Sequence, residues 1–286
     1  MSARVAVLVP CHDDGKLLRE AVDSIDEPEP VELVVVDDAS SDPETLRILA
    51  QLEAEGIRVL RHERNRGVAA ARMTALAATS APYVFPLDAD DVLVAGALAA
   101  MANRLDTEPA AAACYGEYAE FGIQEIVRSV PEAIDPFRVA YANEWGAPLL
   151  RRSALEVVGG WQPAGYKGSD FPYEDWHVWM GLAEVGAEGA HMGPGFVTYK
   201  RRIQPGRRLR SDRKGHARAY RLLRTLHPAL FDNLREHRRR SPLSPARKLL
   251  YPLLYGWRPR FGFEQRLRFW LDRLGLGPDR MLGRRV

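Results

Sequence analysis

Residues 82–93 read PYVFPLDADDVL, an apolar run that ends abruptly in a cluster of aspartates. The run Tyr83–Leu87 predicts a buried strand, which would deliver the three carboxylates of Asp88–Asp91 to its carboxyl end. Carboxylates this close repel one another and raise one another's pKa unless a cation is present. Hard oxygen ligands on this spacing suit Mg²⁺ or Mn²⁺, which can in turn neutralise a diphosphate. We also expect one aspartate to cap a helix beginning near Val94, although a cap accounts for only one of the three.

The segments on either side of this stretch alternate between strand and helix patterns. Such alternation indicates βαβ units and a mainly parallel sheet with helices on both faces. Ligands of these sheets bind beyond the carboxyl ends of the strands, which places Pro10–Asp14, Asp37–Ser41 and Asp88–Asp91 on one rim. The predicted strands are Arg4–Val9, Glu32–Val36, Ile57–Leu60 and Tyr83–Leu87, and the predicted helices are Lys16–Ile25, Pro43–Glu55, Gly67–Thr79 and Val94–Leu105.

The pattern changes after residue 110. Residues 111–119 and 121–130 look like a pair of antiparallel strands. A helix is predicted over Glu174–Gly186, and a further strand over Gly195–Tyr199. The chain therefore continues as mixed α/β structure up to Tyr199.

The composition is that of an ordinary globular protein, with 46% hydrophobic and 27% charged residues in a chain of 286. Cys11 and Cys114 lie outside any CxxC pattern, so we expect a reducing compartment and no structural zinc. The N-terminus enters a strand at once, and no apolar run is long enough to span a bilayer. Together these features predict a cytoplasmic protein without a signal peptide.

Charge is distributed unevenly along the chain. Residues 200–286 hold 25 Lys and Arg against 6 Asp and Glu, whereas residues 1–199 hold 15 against 32. Such an asymmetry suggests different partners for the two parts. We therefore predict one domain over residues 1–199 and a basic, mostly helical extension over residues 200–286.

Five segments identify a resemblance. VLVPCHDD, VELVVVDDASSD, NRGVAAARMTAL, YVFPLDADDVL and YEDWHVWMGLAEVG follow one another between residues 4 and 199. In this order they resemble the family 2 glycosyltransferases of GT-A fold. The resemblance implies an α/β, Rossmann-like sheet with a donor half at about 1–110 and an acceptor half at about 111–199. It also implies an inverting transfer of a sugar from a nucleoside diphosphate sugar, with UDP the best guess, to an acceptor hydroxyl with divalent metal assistance.

The resemblance assigns roles to the rim of the donor half. Asp38 would read uracil or another base, with the backbone at Pro10 closing the pocket, although Asp38 could instead serve loop solvation and a turn. Arg72 lies on an Ala-rich helix, where its guanidinium could reach a base or a phosphate bidentately. The alternative for Arg72 is an exposed surface arginine.

Asp88, Ala89 and Asp90 match the family's DxD motif. By resemblance, Asp88 faces the ribose or the metal, and Asp90 ligates a Mn²⁺ or Mg²⁺ that bridges the diphosphate. The metal would act as a Lewis acid on the leaving group. Asp91 is predicted to cap a helix or to support the other two.

Glu174 and Asp175 open a helix in a Trp-rich segment. By resemblance, Asp175 is the general base that accepts the proton of the acceptor hydroxyl, and Glu174 orients it or binds the acceptor. A single base with direct displacement implies inversion at the anomeric carbon. The alternative is that two acidic residues simply favour a helix N-terminus.

The chain departs from the family pattern after Tyr199. Many relatives carry a histidine that completes the metal site, but TYKRRIQPGRRLR contains none where it would be expected. Four arginines of this segment could hold the diphosphate instead: Arg201, Arg202, Arg207 and Arg208.

Other interpretations of the two parts of the chain remain open. The core could be a nucleotidyltransferase, although VPCHDDGKLL lacks the glycines of a phosphate loop, or a non-catalytic nucleotide- or membrane-binding protein on the same fold. The basic extension could pack on the core or lie on an anionic membrane through stripes of Leu, Phe and Trp, of which Phe263–Leu274 is the clearer. No motif indicates nucleic-acid binding.

Overall fold

A computed structural model gives the fold over residues 3–123, 125–163, 166, 171, 173–204, 213–252 and 283–285. The strands are β1 (Val5–Cys11), β2 (Val31–Asp37), β3 (Arg58–Arg61), β4 (Tyr83–Pro86), β5 (Val92–Leu93), β6 (Ala111–Tyr115), β7 (Glu117–Gly122), β8 (Ile126–Arg128), β9 (Leu149–Arg151), β10 (Glu188–His191), β11 (Val197–Ile203) and β12 (Gly283–Arg285). The helices are α1 (Lys16–Asp23), α2 (Pro43–Ala54), α3 (Val68–Ala77), α4 (Ala97–Thr107), α5 (Pro136–Val139), α6 (Arg152–Val157), α7 (Glu174–Glu184), α8 (Arg213–Leu226), α9 (Pro228–Asp232), α10 (Leu234–Arg240) and α11 (Pro245–Tyr251).

The main sheet has seven strands in the order β10-β6-β9-β4-β1-β2-β3. The strands β1 to β4 pair in parallel, and β10 pairs in parallel with β6. Only β9 runs the other way, between β4 and β6. Because β1, β2 and β4 are parallel neighbours, their carboxyl ends meet at one edge. The predicted α/β class and mainly parallel sheet are confirmed.

Side chains of β1 show how this sheet is buried on both faces. Ala6 and Leu8 belong to one apolar cluster, whereas Val5, Val7 and Val9 belong to the cluster on the opposite face. Alternate residues of a strand point to opposite faces, so a strand without polar residues must be covered on both sides. The helices supply that cover, which fixes the strand ends as the accessible edge.

A second sheet has the strand order β12-β8-β7-β11-β5. The predicted strand 111–119 is interrupted at Gly116, so β6 stays in the main sheet and β7 enters the second, where it pairs antiparallel with β8. A side chain at residue 116 would lie 2.6 Å from the carbonyl oxygen of Phe196. The chain can therefore change sheets there only because the residue is glycine.

Strand β11 crosses the predicted boundary at residue 199. It pairs in parallel with β7 and antiparallel with β5, with Tyr199 opposite Leu93 and Lys200 opposite Val92. The shift in charge at Lys200 therefore does not coincide with the end of a structural element, because backbone pairing carries the strand on to Ile203. The division into a domain and an extension remains a prediction.

Helix α4 begins later than predicted, and no aspartate of the DADD segment caps it. It starts at Ala97 because β5 occupies the residues next to the acidic segment. The free N–H groups of Leu98 and Ala99 are instead satisfied by Glu27, whose two carboxylate oxygens accept from them at 2.9 Å each. The expectation of a cap within the DADD segment was therefore wrong, and the three aspartates are left to other uses.

The described part of the basic extension packs against the core. Tyr220 of α8 stacks on Trp176 of α7 with ring centroids 5.6 Å apart, and its hydroxyl donates to the Ala140 carbonyl at 2.9 Å. Further along, the Ser241 hydroxyl donates to Asp135 at 2.6 Å. The stripe Phe263–Leu274 lies outside the described residues. None of the described helices is both long and apolar enough to cross a membrane.

Two buried histidines join the extension to the core. His177 Nδ1 lies 2.7 Å from His227 Nε2, and His227 Nδ1 lies 2.9 Å from Glu184 Oε2. Burial, together with the neighbouring His227, lowers the pKa of His177 to about 4. Burial also lowers the pKa of His227, although its hydrogen bond to Glu184 opposes the shift. Both rings are therefore neutral at neutral pH.

Acidification should weaken the fold through this pair. Below pH 6.5 the unfolded chain binds a proton on His177 that the folded chain excludes until pH falls to about 4. The neutral His177 ring thereby contributes about 3 kcal/mol to the free energy of unfolding. This contribution is complete above about pH 6.5 and is lost as the pH falls to about 4. Urea unfolding across this range, compared with His177→Phe, isolates the effect. The control is Val185→Ala, an exposed substitution at the end of the same helix that changes no titratable group and should leave the slope unchanged. Identical slopes for wild type and His177→Phe would contradict the prediction.

Candidate active site

A cavity of about 500 Å³ lies at the carboxyl edge of the main sheet. It brings together Pro10 near the end of β1, Asp38 after β2, and Asp88, Ala89 and Asp90 after β4. The end of β11 forms a further wall of the cavity, next to these aspartates. Other lining residues are Cys11, His12, Asp14, Asn65, Gly67, Val68, Ala71, Asp91, Arg201, Arg202, Ile203 and Gln204. The rim predicted from strand order is therefore one continuous pocket.

The loops after β1 and β2 are fixed to each other beside this cavity. Asp13 adopts a left-handed backbone with φ of 56°, a conformation that aspartate tolerates better than most residues. Its Oδ1 accepts from the backbone N–H groups of Ser41 at 2.7 Å and Asp42 at 2.8 Å. These hydrogen bonds between the two loops give this end of the pocket a defined shape.

Asp38 is buried and organises the loop before α3. Its carboxylate accepts from His62 Nδ1 at 2.6 Å and from the backbone N–H groups of Arg66 at 2.9 Å and Gly67 at 2.7 Å. A carboxylate offers about four acceptor positions, so about one remains for a ligand. Gly67 itself has a φ of 86°, which allows the chain to turn into the helix. Base recognition by Asp38 remains a prediction.

The three aspartates after β4 occupy different environments. Asp91 is 5% exposed and accepts from the backbone N–H of Arg202 at 2.9 Å, which ties β11 to the acidic segment. Burial raises the pKa of its carboxyl well above the ordinary value, and the charges of Asp88 and Asp90 raise it further. Asp88 is partly open, with 37% of its side chain exposed. The segment therefore concentrates negative charge at the cavity.

Arg72 is the cation at the centre of the acidic residues. Its side chain is only 2% exposed, so the surface-arginine alternative was wrong. Nη2 donates to Asp88 Oδ1 at 2.6 Å, and Nη1 donates to Asp175 Oδ1 at 2.5 Å. A longer contact of 3.3 Å joins Nη1 to Glu174 Oε1. The guanidinium thus contacts carboxylates, and a contact with a base or a phosphate stays a prediction.

Helix α7 delivers the two candidate catalytic acids in different states. Tyr173, just before the helix, has a φ of 58°, so the chain enters the helix through a strained residue. Glu174 is buried, and burial together with the charge of Asp175 raises its pKa to about 7 against the opposing effect of Arg72. Asp175, in contrast, has 38% of its side chain exposed, so its carboxylate is accessible from solvent. Neighbouring carboxyls in such unlike environments are suited to separate roles.

Arg201 and Arg202 lie in the cavity wall that the end of β11 forms, beside the acidic segment. Arg201 pairs with buried Glu120 and lies 5.1 Å from the Tyr118 ring centroid. Arg202 Nε donates to the Asp90 carbonyl at 3.0 Å. Both arginines are thus held at the cavity. Arg207 and Arg208, named with them as possible diphosphate ligands, lie outside the described residues.

Sequence reasoning missed part of this wall. Gln204 lines the cavity and its side-chain nitrogen lies 3.5 Å from Asp90 Oδ2. It falls beyond the predicted boundary at residue 199, and the signal that could have included it was the apolar residue Ile203, which continues the β11 strand. Val68 and Ala71 were missed because small residues on an Ala-rich helix give no chemical signal.

The acidic residues of the cavity suit a metal ion that is held partly by a substrate better than one held by protein ligands alone. Over the part of the chain that the structure describes, no three His, Cys, Asp or Glu side chains are grouped closely enough to hold a metal by themselves. Magnesium is commonly held by one or two carboxylates together with substrate phosphates. Asp88 and Asp90, which both line the cavity, are carboxylates of this kind.

Comparison with known proteins agrees with this geometry. Residues 6–145, which hold Pro10, Asp38, Arg72 and the DxD segment, match the family model of glycosyl transferase family 2. Over these residues, the chain belongs to that family. The GT-A fold implied by the five sequence segments is confirmed.

Individual relatives extend the comparison. The succinoglycan biosynthesis protein ExoU of Rhizobium meliloti (strain 1021) is 35% identical over 102 residues, which make up 35% of this family 2 chain and 30% of ExoU. The match thus spans less than a third of that relative.

Solved structures of other proteins share the fold. S. aureus TarS 1–349 in complex with UDP-GlcNAc is 19% identical, with a TM-score of 0.63 over 95% of this chain and 80% of that one. The mannosyltransferase PcManGT from Pyrobaculum calidifontis, in complex with GDP-Man and Mn²⁺, is 23% identical, with a TM-score of 0.53 over 88% and 68%. Similarity at this level of identity establishes the fold of this family 2 protein and not its substrates.

Proposed function

We propose that this family 2 protein is an inverting glycosyltransferase that moves a sugar from a nucleoside diphosphate sugar to an acceptor hydroxyl, with a divalent metal. The observation that carries the proposal is the bridge made by Arg72. One guanidinium joins Asp88 of the cavity to Asp175 of α7 at 2.6 and 2.5 Å. A donor held at Asp88 would therefore present its anomeric carbon close to an accessible carboxylate.

Asp175 is the proposed general base. It accepts the proton of the acceptor hydroxyl while that oxygen forms a bond to the anomeric carbon and the bond to the diphosphate breaks. Attack from the side opposite the leaving group inverts the anomeric centre. Glu174, whose pKa of about 7 leaves it partly protonated near neutral pH, is proposed to orient Asp175 or bind the acceptor.

The proposed donor nucleotide is UDP. TarS was solved with UDP-GlcNAc and PcManGT with GDP-Man, so the shared fold accommodates both bases. At the base end, Asp38 has one acceptor position to offer, which suits an N–H of the base, and Pro10 lines the same end of the cavity.

Asp88 and Asp90 are the residues that would hold Mn²⁺ or Mg²⁺, together with phosphate oxygens of the donor. When bound, the ion neutralises charge that develops on the leaving diphosphate. Arg201 and Arg202 line the same cavity beside these aspartates, where they could neutralise phosphate oxygens of the donor.

Calorimetric titration with UDP, GDP, dTDP and CDP, each with Mn²⁺ and then with chelator, tests the donor site. We expect one nucleotide to bind in a metal-dependent manner. Asp90→Ala should weaken that binding at least about tenfold, since it removes a carboxylate that compensates the ion's charge. The matched control is Asp26→Ala, outside the cavity. Binding that is unaffected by chelator and by Asp90→Ala would contradict the metal role, and no binding of any nucleotide would favour a non-catalytic protein.

We further propose that the extension touches an anionic membrane as a peripheral contact. Arg218, Arg221, Arg235 and Arg238 are exposed on α8 and α10, and Leu249 of α11 is 60% exposed. Arginines with an exposed apolar side chain suit anionic headgroups. Flotation with vesicles containing phosphatidylserine should carry the intact chain upward, and a variant with glutamine in place of Arg218, Arg221, Arg235 and Arg238 should float less. Equal flotation of the two would exclude the contact.

A further inference from the structure

Three side chains form a chain of hydrogen bonds along the helix that carries the proposed base. This chain, called the relay, consists of His177, His227 and Glu184. His177 and Glu184 lie seven residues apart on α7, which places them on the same face two turns apart. The ring of His227, between α8 and α9, bonds to both, at 2.7 and 2.9 Å. A residue of the basic extension thus contacts both the first and the last turn of α7.

The relay has a defined proton pattern. The Glu184 carboxylate only accepts hydrogen bonds, so His227 must carry its proton on Nδ1. Neutral His227 then accepts through Nε2, so His177 must donate from Nδ1. The other Glu184 oxygen accepts from the backbone N–H groups of Ala229 at 2.8 Å and Leu230 at 3.3 Å. The start of α9 thereby fixes the carboxylate. Each hydrogen bond of the relay is donated in the direction from His177 to Glu184.

This relay faces away from the reaction centre. Side chains two residues apart on a helix point about 200° apart, so His177 lies on the face opposite Asp175. Arg72 bonds to Asp175 on one face of α7, and His227 bonds to His177 on the opposite face. The residue before the helix, Tyr173, makes no side-chain capping bond, so the helix lacks that means of fixing its first turn.

We propose that His227 is a positioning residue for α7, acting through His177 and Glu184 to fix the rotation of the helix about its axis. This inference rests on the proposed function, because it takes Asp175 to be the base. A small rotation would move the Asp175 carboxylate away from the acceptor oxygen, and misplacement by about 1 Å can cost about 100-fold in rate. The extension is thereby required for the chemical step as well as for packing.

His227→Phe removes both hydrogen bonds and keeps a ring of similar shape. We expect kcat to fall about 10–100-fold, while the affinity for nucleotide changes less than about twofold because no cavity residue is altered. The matched control is Leu222→Ala on α8, which loses packing against the same core and keeps the relay. Its kcat should stay near that of wild type at temperatures well below its melting point. A kcat of His227→Phe equal to that of the control would overturn the proposal.

The double variant His177→Phe, His227→Phe separates positioning from stability. Replacing both partners of a buried hydrogen bond with apolar rings restores much of the stability lost when one partner is removed. We expect the melting temperature to recover and kcat to remain low, because the directional bonds are still missing. Recovery of both quantities would mean that the relay is structural only, and the proposal would fail.

NMR of ¹⁵N-labelled histidine tests the relay without any substrate. Both rings should carry a proton on Nδ1 at neutral pH, with the resonances assigned from the two single variants. A proton on Nε2 of either ring would overturn the relay. Absence of sugar transfer in the wild type would instead count against the proposed function and leave this result standing.

Discussion

Asp175→Asn should lower kcat by about 100- to 10,000-fold, the range typical for loss of a general base, and leave nucleotide affinity nearly unchanged. Asparagine has the same shape and can still accept the hydrogen bond from Arg72 Nη1, but it cannot take the acceptor's proton. The cavity that would bind the nucleotide does not include Asp175, so donor binding should persist. Steady-state transfer rates and nucleotide titration measure the two effects separately.

The control for this substitution is Asp23→Asn, which makes the same chemical change on the exposed face of α1, where Asp23 pairs with Arg19. Its kcat should match that of wild type. If Asp175→Asn retained a kcat within about threefold of wild type, Asp175 could not be the base. Attention would then turn to Glu174, the neighbouring carboxyl on the same turn.

Arg72→Gln should cost about 2–3 kcal/mol of folding free energy and abolish measurable transfer. The stability loss is smaller than for a fully buried ion pair because Asp88 and Asp175 are each more than a third exposed and can recruit water. Transfer is lost because the carboxylates of the cavity and of α7 then repel one another without the bridging cation. Urea unfolding and initial rates measure the two quantities.

Arg72→Lys serves as the matched variant. A lysine keeps the positive charge but cannot donate to two carboxylates in the forked geometry of a guanidinium. We expect it to recover most of the stability and little of the activity. Full activity in the lysine variant would show that charge alone suffices, and that the bridge between Asp88 and Asp175 does not position them.

The local sequence predicted the main sheet and its rim because both depend on short-range patterns. Apolar runs of strand length, alternating with helical segments, indicate parallel strands with ligands at their carboxyl ends. Pro10, Asp38, Asp88, Ala89 and Asp90 each follow such a run, and the structure places all five around one cavity. Their roles toward a nucleotide and a metal remain predictions, since they came from the family resemblance.

Contacts between residues distant in the chain could not be predicted in this way. Arg72 and Asp175 are 103 positions apart, and their pairing depends on how α3 and α7 pack. Glu27 caps α4 from 71 positions away, which is why the expected cap within the DADD segment was wrong. The change in charge at Lys200 likewise did not predict that β11 continues to the cavity, because strand pairing cannot be inferred from composition.

The sequence by itself determined the fold class and the edge of the sheet where the acidic residues gather, because apolar periodicity is a local property. Its five motifs also carried the resemblance to the family. The tertiary structure decided which charges meet there. It placed Arg72 as a buried bridge between two carboxylates, and it connected His227 of the extension to the helix that carries Asp175. Ion pairs and buried hydrogen bonds form only where packing excludes water and fixes distance, and no local pattern contains that information.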